Sequence, residues 1–254
     1  MTDLRDKIVF ISGSSSGIGE ACARRFSAAG ARVILAARRL DRLEALAAAL
    51  PSPTYPIALD VRSQQEVEKA INDLPPRWNE IDILINNAGL SRGLDKIHEA
   101  KIEDWEEMID TNVKGLLYVS RAIIPLMVSR GRGHVINIGS IAGHQVYPGG
   151  NVYCATKHAV DAVTQGMRLD LVDTAVKVST VDPGLVQTEF SKVRFRGDEN
   201  RADRVYQGLK PLSGDDVADA VVWVASRPEH VQIAEVIIFP SAQASASVTR
   251  RQTR

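Results

Sequence analysis

The chain lacks almost everything that would tie it to a specialised environment. It has 2 cysteines in 254 residues, and Cys22 and Cys154 match neither a disulfide nor a metal-binding spacing. Both read as small packing residues, Cys154 included, although it directly follows Tyr153. No apolar run is long enough to span a bilayer, and residues 1–7 are charged, with no apolar signal core. Neither sign of charge is in excess, with Lys+Arg and Asp+Glu at 31 each, so nothing draws nucleic acid or an anionic surface. The 5 histidines form no ligand cluster, and no metal is expected. These absences describe a cytoplasmic protein with small-molecule chemistry, binding neither nucleic acid nor membrane.

What the chain does have is alternation. Short β-branched runs at 8–12, 32–36, 56–59, 83–86, 134–138, 177–181 and 236–239 read as strands, several of them almost continuously apolar. Helical patterns fall between them at 18–29, 41–50, 63–74, 102–128, 152–173 and 214–225. Such an order predicts an α/β fold, a doubly wound parallel sheet of the Rossmann type with helices on both faces, in a single domain. Two stretches break the alternation. The polar segment 188–206 reads as an insertion of lid type (residues 186–208 with its flanks), and the tail 241–254 consists of small residues ending in arginines.

The turn after the first strand reads Gly13-x-x-x-Gly17-x-Gly19 and opens the first helix. Glycines there let backbone approach a pyrophosphate, which the helix N-terminus attracts, and Ser14, Ser15 and Ser16 add hydroxyl donors. The second strand ends in Arg38 and Arg39 with no acidic residue. A carboxylate at that place would bind the ribose hydroxyls of NAD; guanidinium groups instead suit a 2′-phosphate, so NADP is the expected cofactor. Asp60 and Val61 are placed to edge the adenine. Asn87, Ala88 and Gly89, after the fourth strand, would pass the adenosine ribose.

Tyr153 and Lys157 fall one helical turn apart, which sets an ammonium beside a phenol. A free tyrosine titrates near ~10, and a neighbouring cation favours its phenolate. Together with Ser12-Gly13-x-x-x-Gly17-Ile18-Gly19, Asn86-Asn87-Ala88-Gly89, Asn112, Ser140 and Pro183-Gly184, this pair resembles the short-chain dehydrogenase/reductase family across nearly the whole chain. The resemblance implies a catalytic tetrad of Asn112, Ser140, Tyr153 and Lys157. Tyr153 would exchange the proton, Lys157 would lower the phenol pKa and hold the nicotinamide ribose, Ser140 would bind the reacting oxygen, and Asn112 would hold a water leading to Lys157. It also implies cofactor contacts from Ile18, Pro183, Gly184, Val186 and Thr188.

One branch of the family is closer still. Gly139-Ser140-Ile141-Ala142-Gly143-His144-Gln145, Tyr153-Cys154-Ala155-Thr156-Lys157-His158, and the run from Pro183 to Phe195 resemble the NADP-dependent 3-hydroxy acid dehydrogenases. That likeness implies serine, L-allo-threonine or 3-hydroxypropionate-type substrates, malonic semialdehyde reductase activity and a homotetramer. A carboxylate substrate needs a counter-charge, for which Arg194 in the insertion is the candidate, with Gln145 adding a hydrogen bond. Reduction of a larger ketone, sugar or secondary metabolite stays open, because such pockets vary on one fold. The tail is expected beside a neighbouring subunit.

Overall fold

Every residue of β1 (Ile8–Ser12) is buried, and its side chains alternate between two cores. Val9 and Ile11 pack with Phe26 and Val221 on one face, while Ile8 and Phe10 pack with Ile123 and Met127 on the other. A strand covered on both faces is apolar at every position, which explains the unbroken hydrophobic runs. Each such side chain removed from water contributes about 1.5–3 kcal/mol.

The computed structural model describes residues 2–252; Met1, and Thr253 and Arg254 of the tail, lie outside the described residues. The remaining strands are β2 (Arg32–Ala37), β3 (Thr54–Ala58), β4 (Ile83–Asn86), β5 (Gly133–Ile138), β6 (Val176–Pro183) and β7 (Glu235–Ile238). All neighbours pair in parallel, and the 7 strands run in the order β3-β2-β1-β4-β5-β6-β7. Helices α1 (Gly17–Ala28), α2 (Leu40–Ala49) and α3 (Gln64–Asn72) lie in the first half. They are followed by α4 (Ile102–Ile109), α5 (Leu116–Ser129), α6 (Asn151–Asp170), α7 (Phe190–Arg194), α8 (Glu199–Arg204) and α9 (Gly214–Ala225). Residues of α1, α2 and α9 build one core, and residues of α3 and α5, with Met167 of α6, build the other. The sheet is therefore doubly wound, as the alternation predicts. Among the described residues, no helix is long and apolar enough to cross a membrane.

Three local differences from the sequence-based expectation have physical causes. β3 begins at Thr54, with Pro56 opposite Leu35; at a sheet edge a residue without an N–H costs no ladder bond on its open side. The expected single helix at 102–128 is α4 and α5 joined by a π-helical turn, Asp110–Gly115. Gly115 lies against Val61 there, where an added Cβ would stand 2.7 Å from Val61 Cγ2, and π-turns of this kind concentrate at functional sites. The insertion carries α7 and α8. Asp198 caps α8 by accepting from Arg201 N at 3.0 Å, and buried Ser191, Phe195 and Ala202 anchor the segment.

The tail, an irregular run of small residues in the sequence, is held in place by its own chain. Gln243 Oε1 accepts from Leu185 N at 2.7 Å, Ala246 N donates to Gln145 Oε1 at 2.8 Å, and Gln252 N donates to Gly208 O at 2.8 Å. Arg251 donates to the carbonyls of Val205 and Gln207. Its docking place is thus the base of the insertion in the same subunit. Gln243 is buried, so Gln243→Ala leaves the Leu185 N–H without a partner. It is expected to destabilise the fold by about 1–3 kcal/mol, read as a lowered denaturation midpoint at unchanged slope in urea.

Candidate active site

β1 and β4 are neighbours that end side by side where the strand order reverses, and the turns beyond them interlock. Ser12 Oγ accepts from Asn87 N at 3.0 Å and Ala88 N at 3.1 Å, while Asn87 Nδ2 donates to Ser12 O and Gly13 O at 2.9 and 3.1 Å. Gly13 and Gly17 adopt φ of +68° and +59°, a left-handed conformation that side-chain-bearing residues resist. The Ser16 side chain does not cap α1, so the first-turn N–H groups remain open toward an anion.

A cavity of about 330 Å³ lies over this junction. Gly13, Ser16, Gly17 and Ile18 face it from the glycine turn; Arg38, Arg39, Asp60 and Val61 form one end. Asn87, Ala88 and Gly89 line its middle, and Pro183, Gly184, Val186 and Thr188 its opposite wall. Ser140, Tyr153 and Lys157 stand at the other end. Two of the expected cofactor contacts do not face the cavity. Ser14 is fully buried and its hydroxyl donates to Ala36 O at 3.4 Å. Gly19 packs behind the turn, where a Cβ would lie 2.4 Å from both Asn87 Nδ2 and Gly13 O, so its role is close packing.

The arginines after β2 behave differently from one another. Arg39 Nη2 donates to Ser15 Oγ and Ser16 Oγ at 3.0 Å each, and its Nη1 donates to Glu189 Oε2 at 3.2 Å. Arg42 joins it on Glu189 at 2.9 Å. Arg38 is exposed at the cavity's edge. Sequence reasoning missed Arg42 and Glu189, because their meeting depends on the insertion folding back across α2.

At the catalytic end, Asn112 occupies the π-helical turn. Its Oδ1 accepts from Leu90 N at 2.8 Å, and its Nδ2 donates to Leu90 O at 2.8 Å and to Thr156 Oγ1 at 3.0 Å. Both ends of the carboxamide are thus committed to protein partners. Lys157 is buried and donates from Nζ to Ile138 O at 2.9 Å. Burial pulls its pKa down to about 8, with Asp182 opposing. Tyr153 is buried too, and burial pushes its phenol above the ordinary value. Arg194 and the Ser140 hydroxyl pull the other way, without offsetting the effect of burial.

The candidate substrate residues separate. Gln145 is exposed and engaged with Ala246 of the tail, away from the cavity, because the loop after Ser140 turns outward there. The Arg194 guanidinium lies 5.3 Å from the Tyr153 ring and 5.1 Å from that of Phe190, and its Nη2 donates to the Tyr147 hydroxyl at 3.0 Å. Its Nε is buried without a partner. Tyr147 and Phe190, whose ring meets Tyr153 edge-on at 5.6 Å, escaped the sequence reading; Tyr147 lies in an irregular loop and Phe190 opens the short α7, too brief for a periodic signal. Arg92, paired with Glu107 at 2.6 Å, also donates to Val193 O and so holds the insertion from the other side.

Lys157 also sets a pH dependence. Its pKa of about 8 in the fold lies below the ordinary 10.5, so between these values the unfolded chain holds a proton that the folded chain has lost. Stability therefore rises across about pH 8–10, by roughly 2–3 kcal/mol. Cys22 and Tyr153, both raised by burial, act oppositely above about pH 9, so the comparison with Lys157→Met isolates the effect. Wild type minus variant, in urea melts from pH 7 to 10, should show the gain; parallel profiles would assign the lysine an ordinary pKa.

Known proteins share this arrangement. The family model described as short chain dehydrogenase matches residues 7–199. The NADP-dependent 3-hydroxy acid dehydrogenase of Salmonella typhi is 48% identical over 243 residues, covering 95% of this chain and 98% of the relative. That of Schizosaccharomyces pombe is 42% identical over 258 residues, covering 99% and 100%. A solved structure described as the closed form of serine dehydrogenase complexed with NADP+ superposes with a TM-score of 0.93 at 46% identity, covering 97% of this chain and all (100%) of that one. With its interlocked β1 and β4 turns and the Ser140, Tyr153 and Lys157 end of the cavity, the chain belongs to the short-chain dehydrogenase family.

Proposed function

We propose that this protein is an NADP(H)-dependent oxidoreductase that interconverts a 3-hydroxy acid with its 3-oxo acid or semialdehyde. The residues present fit a phosphate-bearing dinucleotide: an uncapped α1 N-terminus, two glycines that admit backbone approach, and no acid directly after β2. Arg39 and Arg38 would hold the 2′-phosphate, with Ser15 and Ser16 beside it, and Asp60 and Val61 would edge the adenine. Bound NADP(H) supplies the hydride chemistry.

The chain supplies the rest. In reduction the Tyr153 hydroxyl donates its proton to the carbonyl oxygen, and in oxidation it takes the alcohol proton back. Ser140 hydrogen-bonds the same oxygen and stabilises charge gathering there. Lys157, poised near neutrality, returns a proton at Nζ and binds the nicotinamide ribose. Asn112 fixes the turn that holds Leu90 and Thr156 in place.

The observation that carries the substrate reading is Arg194. A guanidinium beside the Tyr153 ring, with a buried Nε that has no partner, is a counter-charge for a carboxylate next to the reacting carbon. We read residues 186–208 as a lid that brings Arg194 to the substrate. A homotetramer in the cytoplasm fits the buried free cysteines and the exposed Leu169 and Val172, apolar side chains that an assembly would cover. Neither nucleic acid nor membrane is a proposed partner.

The test follows NADPH absorbance with D- and L-serine, 3-hydroxypropionate, 3-hydroxyisobutyrate, L-allo-threonine and a set of uncharged ketones. Turnover of at least one 3-hydroxy acid is expected, with NADP+ preferred to NAD+. Arg194→Leu should raise KM for the acid by about tenfold to a hundredfold with a smaller change for neutral ketones, and Tyr153→Phe should lower kcat by about 10²–10⁴. Turnover confined to ketones, indifferent to Arg194, would instead support a reductase of larger carbonyl compounds.

A further inference from the structure

Behind Ser140, three side chains from separate segments converge. His144 comes from the turn after the Ser140 loop, Asp182 from the carboxyl end of β6, and Glu235 from the start of β7. One ligating atom from each lies within 4.8 Å of the other two. His144 Nε2 stands 3.4 Å from Asp182 Oδ2 and 2.9 Å from Glu235 Oε1. Despite these separations, His144 Nε2 and Asp182 Oδ2 are both buried without a hydrogen-bond partner. The ring nitrogen is thus aligned with neither carboxylate and is directed between them.

We propose that His144, Asp182 and Glu235 bind one divalent transition-metal cation, of Zn²⁺ chemistry, between the carboxyl end of β6 and the start of β7. Zinc bonds of about 2.0–2.2 Å to nitrogen and oxygen place neighbouring tetrahedral ligands about 3.4 Å apart; His144 and Asp182 already stand at that spacing, and Glu235, at 2.9 Å from His144, would move outward slightly. Imidazole with carboxylates suits Zn²⁺ better than Mg²⁺ or Ca²⁺, which take oxygen donors. Asp182 is only 2% exposed, and its other oxygen accepts from Ser140 N and Thr180 Oγ1 at 3.0 Å each, so the ligating oxygen is held in one orientation. His144 and Glu235 are partly exposed, which provides an entry path and room for a water as fourth ligand. Two carboxylates share one imidazole here, which leaves the cluster short of positive charge. A divalent cation supplies it.

The experiment uses tag-free, full-length protein stripped with a chelator, then titrated with Zn²⁺ in a calorimeter and analysed for bound metal by mass spectrometry. One zinc per chain and a raised Tm are expected. His144→Ala and Glu235→Gln should each weaken zinc binding by about tenfold or more while keeping the native circular dichroism and a cooperative melt. Mg²⁺ should bind at least about tenfold more weakly. Sub-stoichiometric zinc, an affinity unchanged in both variants, or Mg²⁺ bound as well as Zn²⁺ would overturn the assignment; the first two results would leave an adventitious ion only.

Discussion

Everything at the working end of this protein hangs from the junction between the β1 and β4 turns. Ser12 and Asn87 exchange hydrogen bonds across it, which fixes the distance between the glycine turn and the middle of the cavity. Gly19 seats α1 against the same Asn87. From Gly89 the chain enters Leu90, whose amide and carbonyl are clamped by Asn112; Asn112 in turn donates to Thr156, and Thr156 donates to Tyr153 O at 2.7 Å. Hydrogen bonds and one short stretch of chain therefore connect the cradle to the backbone of Tyr153. Because an unpaired buried partner costs about 1–3 kcal/mol, each link resists being broken singly.

Along that line the dominant electrostatic force is desolvation. It raises the phenol of Tyr153 and lowers the ammonium of Lys157, so two groups nearly matched in water move apart in proton affinity, with the proton held more tightly on the phenol. Arg194 adds a positive charge from outside the fold's main body, carried by α7. The insertion thus lines the cavity through Glu189, Phe190 and Val193, and Arg39, Arg42 and Glu189 tie it to α2.

Much of this was legible in the chain. Alternating apolar runs imply a sheet buried on both faces, since such a sheet tolerates an unbroken apolar run like Ile83-Leu84-Ile85. Glycine and arginine positions near the first two strands imply a phosphate cradle, because left-handed turns and guanidinium geometry are local properties. Tyr153 and Lys157 could be paired from helical spacing alone. Gln145, Ser14 and Gly19 could not be placed, since the direction of a loop side chain is settled by what packs against it.

The sequence by itself determined the elements, their order and the chemical kinds of residue at the carboxyl edge of the sheet, because periodicity and turn chemistry act over a few residues. Tertiary structure alone decided which distant groups meet. The π-turn at Asn112 exists to reach Leu90, 22 residues away, and Gln243 reaches back 58 residues to Leu185. His144, Asp182 and Glu235 likewise become neighbours only when β6 and β7 lie beside the Ser140 loop. Contacts of that range carry no local signature, since they arise from how buried polar groups find partners once the cores have closed.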